Sequence, residues 1–231
     1  MTADADLLAR ALASESPLTW VLTGDSITHG LVHTQGGRTY PEHLHEIIRG
    51  ELFRADDALI DTAISGWRIA QILEHFDRRV ADWKPQIVTL MIGTNDCSDR
   101  GDFPVITAAE FGDSITEFVR RVRAIGAIPV LQTPPAVDVP NAPERARIGE
   151  FAQAVRDAAA AEQTILVDQF ARFAEIGGGG VPWGLMNDPF HPGATGHAAL
   201  ALELATVLGL DPESSRVLPK LRADVAAGRL G

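Results

Sequence analysis

Five short runs rich in β-branched and other apolar residues recur along this chain, separated by longer stretches with helical periodicity. The runs are Leu18–Thr23, Ala58–Ala63, Ile87–Ile92, Ile128–Gln132 and Thr164–Val167. Each is read as a strand. The third, Ile87-Val88-Thr89-Leu90-Met91-Ile92, is almost continuously apolar, as a strand buried on both faces of a parallel sheet must be. Between the runs, apolar residues recur every three to four positions. Ile69, Ile72, Leu73, Phe76 and Val80 share one stripe, which predicts a helix over Trp67–Asp82. Further helices are predicted at Ala5–Ala13, Pro41–Leu52, Thr107–Ile125, Glu144–Ala161 and Ala194–Leu208. The stretch from Pro212 to Gly231 reads as one more amphipathic helix, with Val217, Leu218, Leu221 and Val225 on its apolar side. Strands alternating with helices imply an α/β fold around a mainly parallel sheet.

Three irregular stretches interrupt this order: Leu31–Thr39 with Gly36-Gly37, the proline-rich Thr133–Pro143, and the four glycines Gly177–Gly180. All are expected at the surface. No repeat and no linker divides the chain, so residues 1–231 are read as one domain, with a core at about 18–208 and a helical tail at 212–231.

Composition narrows the function. Apolar residues make up 45% of the 231, enough for a sizeable core. Acidic residues outnumber basic ones 31 to 20, for a net charge of −11. That balance argues against nucleic acid and against anionic membranes as partners. No apolar run is long enough to span a membrane. Met1–Leu12 carries Asp4 and Asp6 and lacks the basic start and long apolar centre of a secretory signal, so the expected location is cytoplasmic. A single cysteine, Cys97, excludes an internal disulfide and is read as a partly buried, inert thiol.

The chemistry sits in four polar turns, three of them directly after predicted strands. Gly24-Asp25-Ser26-Ile27 follows the first strand, Ser65-Gly66 the second and Gly93-Thr94-Asn95-Asp96 the third. The last is Asp188-Pro189-Phe190-His191. Ser26 supplies a hydroxyl at the edge where parallel sheets bind ligands. His191 titrates near neutrality and can take and return its proton. Asp188, three residues earlier, can hold one imidazole nitrogen while the other faces Ser26. The N–H groups of Ser26 and Gly66 and the Asn95 amide can receive a developing oxyanion. This is the parts set for acyl transfer by a serine. The G-x-S-x-G elbow of α/β-hydrolases is absent, since Thr28 occupies its last position.

Taken together, the four blocks resemble those of the SGNH hydrolases, also called the GDSL esterase/lipase family. The resemblance covers about Leu18 to Leu208. Ile27 replaces the leucine of the family's name, and Asp61 stands where many members carry asparagine. Membership implies a three-layer α/β/α sandwich with a five-stranded parallel sheet in the order 2-1-3-4-5. It implies Ser26, His191 and Asp188 as catalytic residues, Ser26, Gly66 and Asn95 as the oxyanion hole, and no cofactor.

The expected partner is a small-molecule ester with a short acyl group, such as an acetylated carbohydrate. A thioesterase, an acyltransferase and a binding module without turnover are the alternatives. Trp67, Trp183 and Met186 are candidate pocket walls. His29 and His33 follow the nucleophile turn and are candidates to line a pocket, with a surface position the first expectation, and His197 is expected in the helix after His191. A metal set of Asp188, His191 and His197 is conceivable, but serine chemistry accounts for the first two together with Ser26 and Asn95, so no metal is expected. A homo-oligomer through the tail helix is left open.

Overall fold

The computed structural model describes residues 2–101 and 103–228. Its sheet has strands β1 (Thr19–Gly24), β2 (Ala58–Asp61), β3 (Ile87–Met91), β4 (Ile128–Gln132) and β5 (Ile165–Val167). All neighbours pair in parallel, in the order β2-β1-β3-β4-β5. The order and the strand count are those expected from the sequence.

Helices cover both faces. In chain order they are α1 (Ala3–Ala13), α2 (Ser26–His29), α3 (Tyr40–Glu46), α4 (Ile69–Glu74), α5 (Phe76–Arg79), α6 (Ala108–Ala124), α7 (Ile148–Glu162), α8 (Gln169–Ile176), α9 (Ala194–Leu208) and α10 (Val217–Gly228). Alternation along the strands sorts the core into two clusters. Trp20, Leu22, Ile87 and Val130 point to the side of α3 and α9, with Leu44, Leu200 and Leu204. Val21, Val88, Leu90 and Leu131 point to the side of α4, α6 and α7, with Ile72, Phe118 and Val155. This follows from the period of two in side-chain direction.

Local chemistry sets the helix ends. Thr39 and Glu42 form a capping box at α3, with Pro41 in the first turn, and Thr107 and Glu110 do the same at α6. Gly209, at φ 67°, closes α9 in the left-handed region that glycine tolerates. In α10, Leu218, Leu221 and Val225 are buried against the rest of the chain.

Four expectations change. The helix read over Trp67–Asp82 breaks at His75 (φ −104°, ψ 23°) and continues as α5 and a 3-10 turn, Ala81–Trp83. The break leaves the Leu73 carbonyl free, and Arg121 donates to it at 2.9 Å. Helix α8 was not foreseen. Asp168 caps it by accepting from the Ala171 amide, and Phe173 and Ile176 fill the core. The proline-rich stretch is not a surface loop throughout: Thr133–Asp138 is buried. It is held there by bonds to its own backbone polar groups, among them Asp138 N–H to Pro189 O at 2.8 Å. The tail helix begins at Val217 rather than Pro212, because Ser215 Oγ accepts from the Leu218 amide and Glu51 accepts from Val217. Residues 229–231 of that reading lie outside the described residues.

Candidate active site

Strand β1 ends at Gly24, and no other residue fits there. A Cβ at Gly24 would lie 2.2 Å from the Met91 carbonyl oxygen and 2.6 Å from Thr28 Oγ1. The chain then turns at once into α2. Asp25 caps that helix by accepting from the Ile27 amide at 2.9 Å, which leaves Ser26 as its first residue.

The second turn is set by Asp61, whose Oδ1 accepts from the Ala63 N–H at 2.9 Å. Only an acceptor is needed there, so aspartate serves. Gly66 has φ 81°, and a Cβ there would touch nothing within 4 Å, so backbone conformation rather than space favours glycine. The third turn is tied to the second twice. Asn95 Nδ2 donates to Trp67 O at 3.1 Å, and Asp96 Oδ1 accepts from the Ile69 amide at 2.9 Å. The N–H groups of Ser26 and Gly66 make no hydrogen bond among the described residues.

The fourth turn folds on itself. Asp188 Oδ1 accepts from the amides of Phe190 (3.1 Å) and His191 (2.9 Å), and its Oδ2 accepts from His191 Nδ1 at 2.8 Å. The far ring nitrogen, Nε2, lies 2.9 Å from Ser26 Oγ. An ionised carboxylate accepts only, so the proton sits on Nδ1 and the lone pair of Nε2 faces the hydroxyl. Burial pushes Asp188 up, but the bonds from Phe190 and His191 outweigh it and hold the carboxyl below its usual range. Burial lowers His191, Asp188 opposes this, and the charges of His33 and Arg145 lower it further. The net effect is downward, so the imidazole stays neutral, with a free lone pair, to lower pH than an ordinary histidine.

The contact of His33 with His191 is what the sequence did not foresee. Instead of lying apart on the surface, the His33 ring stacks on that of His191 with centroids 3.5 Å apart and planes 10° from parallel. Its Nδ1 lies 3.5 Å from Asp188 Oδ2. No local pattern marks it, and only the path of the 31–39 segment brings it across. His29 also turns inward, and its Nδ1 accepts from the Ser65 amide at 3.3 Å. The conceivable metal set is replaced as well: the residues gathered within 4.8 Å are His33, Asp188 and His191. His197 is buried beneath α3, where its Nδ1 accepts from the Tyr40 amide.

The three predicted wall residues separate. Met186 lines a cleft of about 200 Å³ together with His33, Asn187 and Gly193. Trp67 stacks with His75 at 5.3 Å under the Arg79 guanidinium, and Trp183 is half exposed on a 3-10 turn. A larger cavity, about 560 Å³, opens between β2, α3 and the 31–39 segment and is lined by His29, Thr39, Glu42 and Asp61. Cys97 is fully buried, and burial pushes its thiol up to about 12, as befits an inert thiol. No helix among the described residues is long and apolar enough to cross a membrane.

Residues 22–199 match the model of the GDSL-like lipase/acylhydrolase family. Among curated proteins, the acetylxylan esterase of Geobacillus stearothermophilus is 24% identical over 207 residues, which cover 84% of this chain and 94% of that protein. An uncharacterized protein of Mycoplasma pneumoniae is 28% identical over 109 residues, 47% of this chain but only 12% of that protein. Among solved structures, a variant of an acetyl-xylooligosaccharide esterase from Geobacillus superposes with a TM-score of 0.74 at 22% identity, covering 87% of this chain and 98% of that one. The lipase/acylhydrolase of Enterococcus faecalis gives 0.67 at 24% identity, covering 86% and 100%. An alpha/beta hydrolase from the metagenome of Lake Arreo, Spain, gives 0.72 at 24%, covering 86% and 99%.

Proposed function

The chain belongs to the GDSL-like lipase/acylhydrolase family and is a carboxylic ester hydrolase, and from that premise we propose that it removes short acyl groups, acetyl above all, through an acyl-enzyme on Ser26. The observation that carries this reading is the unbroken line of bonds from Ser26 Oγ through both nitrogens of His191 to Asp188, at 2.9 and 2.8 Å.

In the proposed reaction, Ser26 Oγ attacks the ester carbonyl while its proton passes to His191 Nε2. Asp188 holds the ring and stabilises the imidazolium. The carbonyl oxygen becomes an oxyanion and takes hydrogen bonds from the N–H groups of Ser26 and Gly66 and from Asn95 Nδ2. The bond to the alcohol oxygen then breaks, and His191 gives that oxygen its proton. Water repeats the sequence on the acyl-enzyme: its proton goes to His191, the Ser26–acyl bond breaks, His191 returns the proton to Ser26 Oγ, and the acid leaves. Every proton is carried by the one imidazole, and the chemistry calls for no metal or organic cofactor. Met186, in the cleft beside His33, is assigned to the substrate wall, and Trp67 and Trp183 remain candidate walls.

The acetyl preference draws on the relatives named for acetylated xylan and its oligosaccharides. An acetylated carbohydrate is therefore the proposed substrate class. The test is Ser26→Ala against wild type on p-nitrophenyl esters from acetyl to decanoyl. A loss of at least about 10⁴-fold in kcat is expected. Retention of most of the rate would overturn the serine mechanism. A maximum at decanoyl would overturn the short-acyl assignment.

A further inference from the structure

His191 must do two things that pull against each other. It has to stay aimed at Ser26, and it has to carry a proton from one oxygen to another. Asp188 holds it by one nitrogen only, through a contact about which the ring can still rock. The structure supplies a second constraint on the flat side of the ring. We propose that His33 is a positioning residue for His191, its stacked ring bracing the imidazole beside Asp188 so that Nε2 stays directed at Ser26; this rests on the serine-esterase reading above.

The stack is close and nearly parallel, 3.5 Å between centroids and 10° between planes. Phe190 also touches the His191 ring, tilted at 44° with centroids 4.3 Å apart, and the Arg145 guanidinium lies 3.5 Å over Phe190. The His33 contact to Asp188 Oδ2, at 3.5 Å, is too long for a hydrogen bond. It leaves that oxygen to His191, which reaches it at 2.8 Å.

His33 is held in this place from both ends. The His33 amide donates to Gly30 O at 3.1 Å, and the Gly30 amide donates to Ser26 O at 2.8 Å, so the turn grows directly out of the nucleophile's helix. Gln35 Nε2 then donates to Asn187 Oδ1 at 2.6 Å, next to Asp188. Leu31 and Gln35 sit at φ 28° and 50°, a cost that side chains bear only where surrounding contacts enforce it. The turn Leu31–Thr34 thus bridges the segment with the hydroxyl to the segment with the imidazole.

The same three side chains invite a cation reading, and the ring geometry opposes it. Nearly parallel rings direct their lone pairs within nearly parallel planes, about as far apart as the rings themselves. An ion bound in the plane of one would lie well out of the plane of the other.

The charged groups that face His191 are Asp188 on its own turn, His33 on the 31–34 turn and Arg145 on the 143–145 turn. Those within reach of His33 are Asp188, His191 and the buried His197. A neutral His33 offers its π face to the imidazolium that forms during turnover. A protonated one repels that cation and competes for Asp188.

The test compares His33→Ala and His33→Phe with wild type and with Ser26→Ala, measuring kcat, KM and the pH profile of kcat/KM on p-nitrophenyl acetate. For His33→Ala, kcat should fall about tenfold or more with KM little changed, because a small misplacement of the base is costly. His33→Phe keeps the stacked face and should recover most of kcat. In both variants the acid limb should move to higher pH, since His33 is among the groups that lower His191. Wild-type kcat in His33→Ala, or a His33→Phe no faster than His33→Ala, overturns the proposal. An acid limb that moves in neither variant overturns its electrostatic half. Thermal unfolding midpoints near wild type exclude a folding defect, and His33→Phe supplies the readout should His33→Ala fail to fold. If Ser26→Ala keeps its rate, the esterase mechanism fails. If Ser26→Ala is inactive and the His33 variants match wild type, only the role of His33 fails.

Discussion

The Tyr40 amide donates to Nδ1 of His197 across 3.0 Å, and the two rings lie stacked with centroids 6.2 Å apart. The bond joins α3 to α9 and requires a lone pair on Nδ1, so His197 is neutral in the folded chain. Burial first, then the charges of His43, His33 and His191, push its pKa down to about 3. In the unfolded chain it returns to about 6.5. Between those values the unfolded state binds more protons, so this contribution to stability is full above about pH 6.5 and is lost as pH falls toward 3. His197→Leu should lower stability at pH 7 by about 1–3 kcal/mol through the orphaned Tyr40 N–H. It should also fall behind wild type by less at pH 5 than at pH 7. Equal deficits at both values, by denaturant titration, would contradict this account.

Asp25 and Asp96 slope the other way. Each is fully buried, has one oxygen on a backbone amide and the other without a partner, and is pushed up to about 7, chiefly by burial. The folded state therefore binds more protons from about pH 4 to 7, and this stability is lost as pH rises through that window. Asp25→Asn keeps an acceptor for the Ile27 amide and has no charge to desolvate. Its denaturation midpoint should gain on wild type from pH 5 to pH 8. A constant difference over that range would show that the carboxyl does not titrate there.

Asn95 is assigned to the oxyanion. Removing one such donor costs about 10² to 10³ in kcat. Asn95→Ala should show that loss while still reacting, slowly, with a fluorophosphonate at Ser26. Asp188→Asn should cost about 10⁴ by inverting the tautomer. Should either variant turn over at the wild-type rate, its assigned role is wrong.

Two glycines separate space from conformation. Gly24→Ala must push against the Met91 carbonyl at 2.2 Å, a backbone atom that cannot swing aside. A cost of about 3 kcal/mol or more is expected, with lost activity, since Ser26 is two residues on. Gly66→Ala meets nothing within 4 Å and pays only for φ 81°. About 1–2 kcal/mol is expected there. Urea midpoints for the pair check the order, and a milder effect at Gly24 would reverse the argument.

Strands β1, β3 and β4 were legible because burial on both faces writes a short apolar run, and the edge strand β2 because its apolar run is short and bounded by polar residues. Strand β4 agrees with its predicted bounds, β1 is shifted by one residue at both ends, and the other three differ by one or two residues at one end. Helix α8 carried a signal, Asp168 as cap with Phe170, Phe173 and Ile176 three apart, and its shortness hid it. The break at His75 was not legible, because Ile72, Phe76 and Val80 keep helical spacing across it and its compensation comes from distant Arg121. Proline content misled at Thr133–Asp138. That segment is buried because it packs between two functional turns, Pro134 lying 3.1 Å from where a Gly93 Cβ would stand and Asp138 bonding to Pro189. His33 lies 158 positions before His191, and a sequence holds no measure of that approach.

Helix α10 rests on the 3-10 turn Trp183–Leu185 so closely that a Cβ at Gly184 would stand 1.7 Å from the Gly228 carbonyl oxygen. That turn leads straight into Asp188 and His191. During synthesis every side chain named in the reaction is already made before α10 exists, yet the ground beneath the imidazole is unfinished. A helix that contributes no reacting atom thus completes the packing beneath that turn.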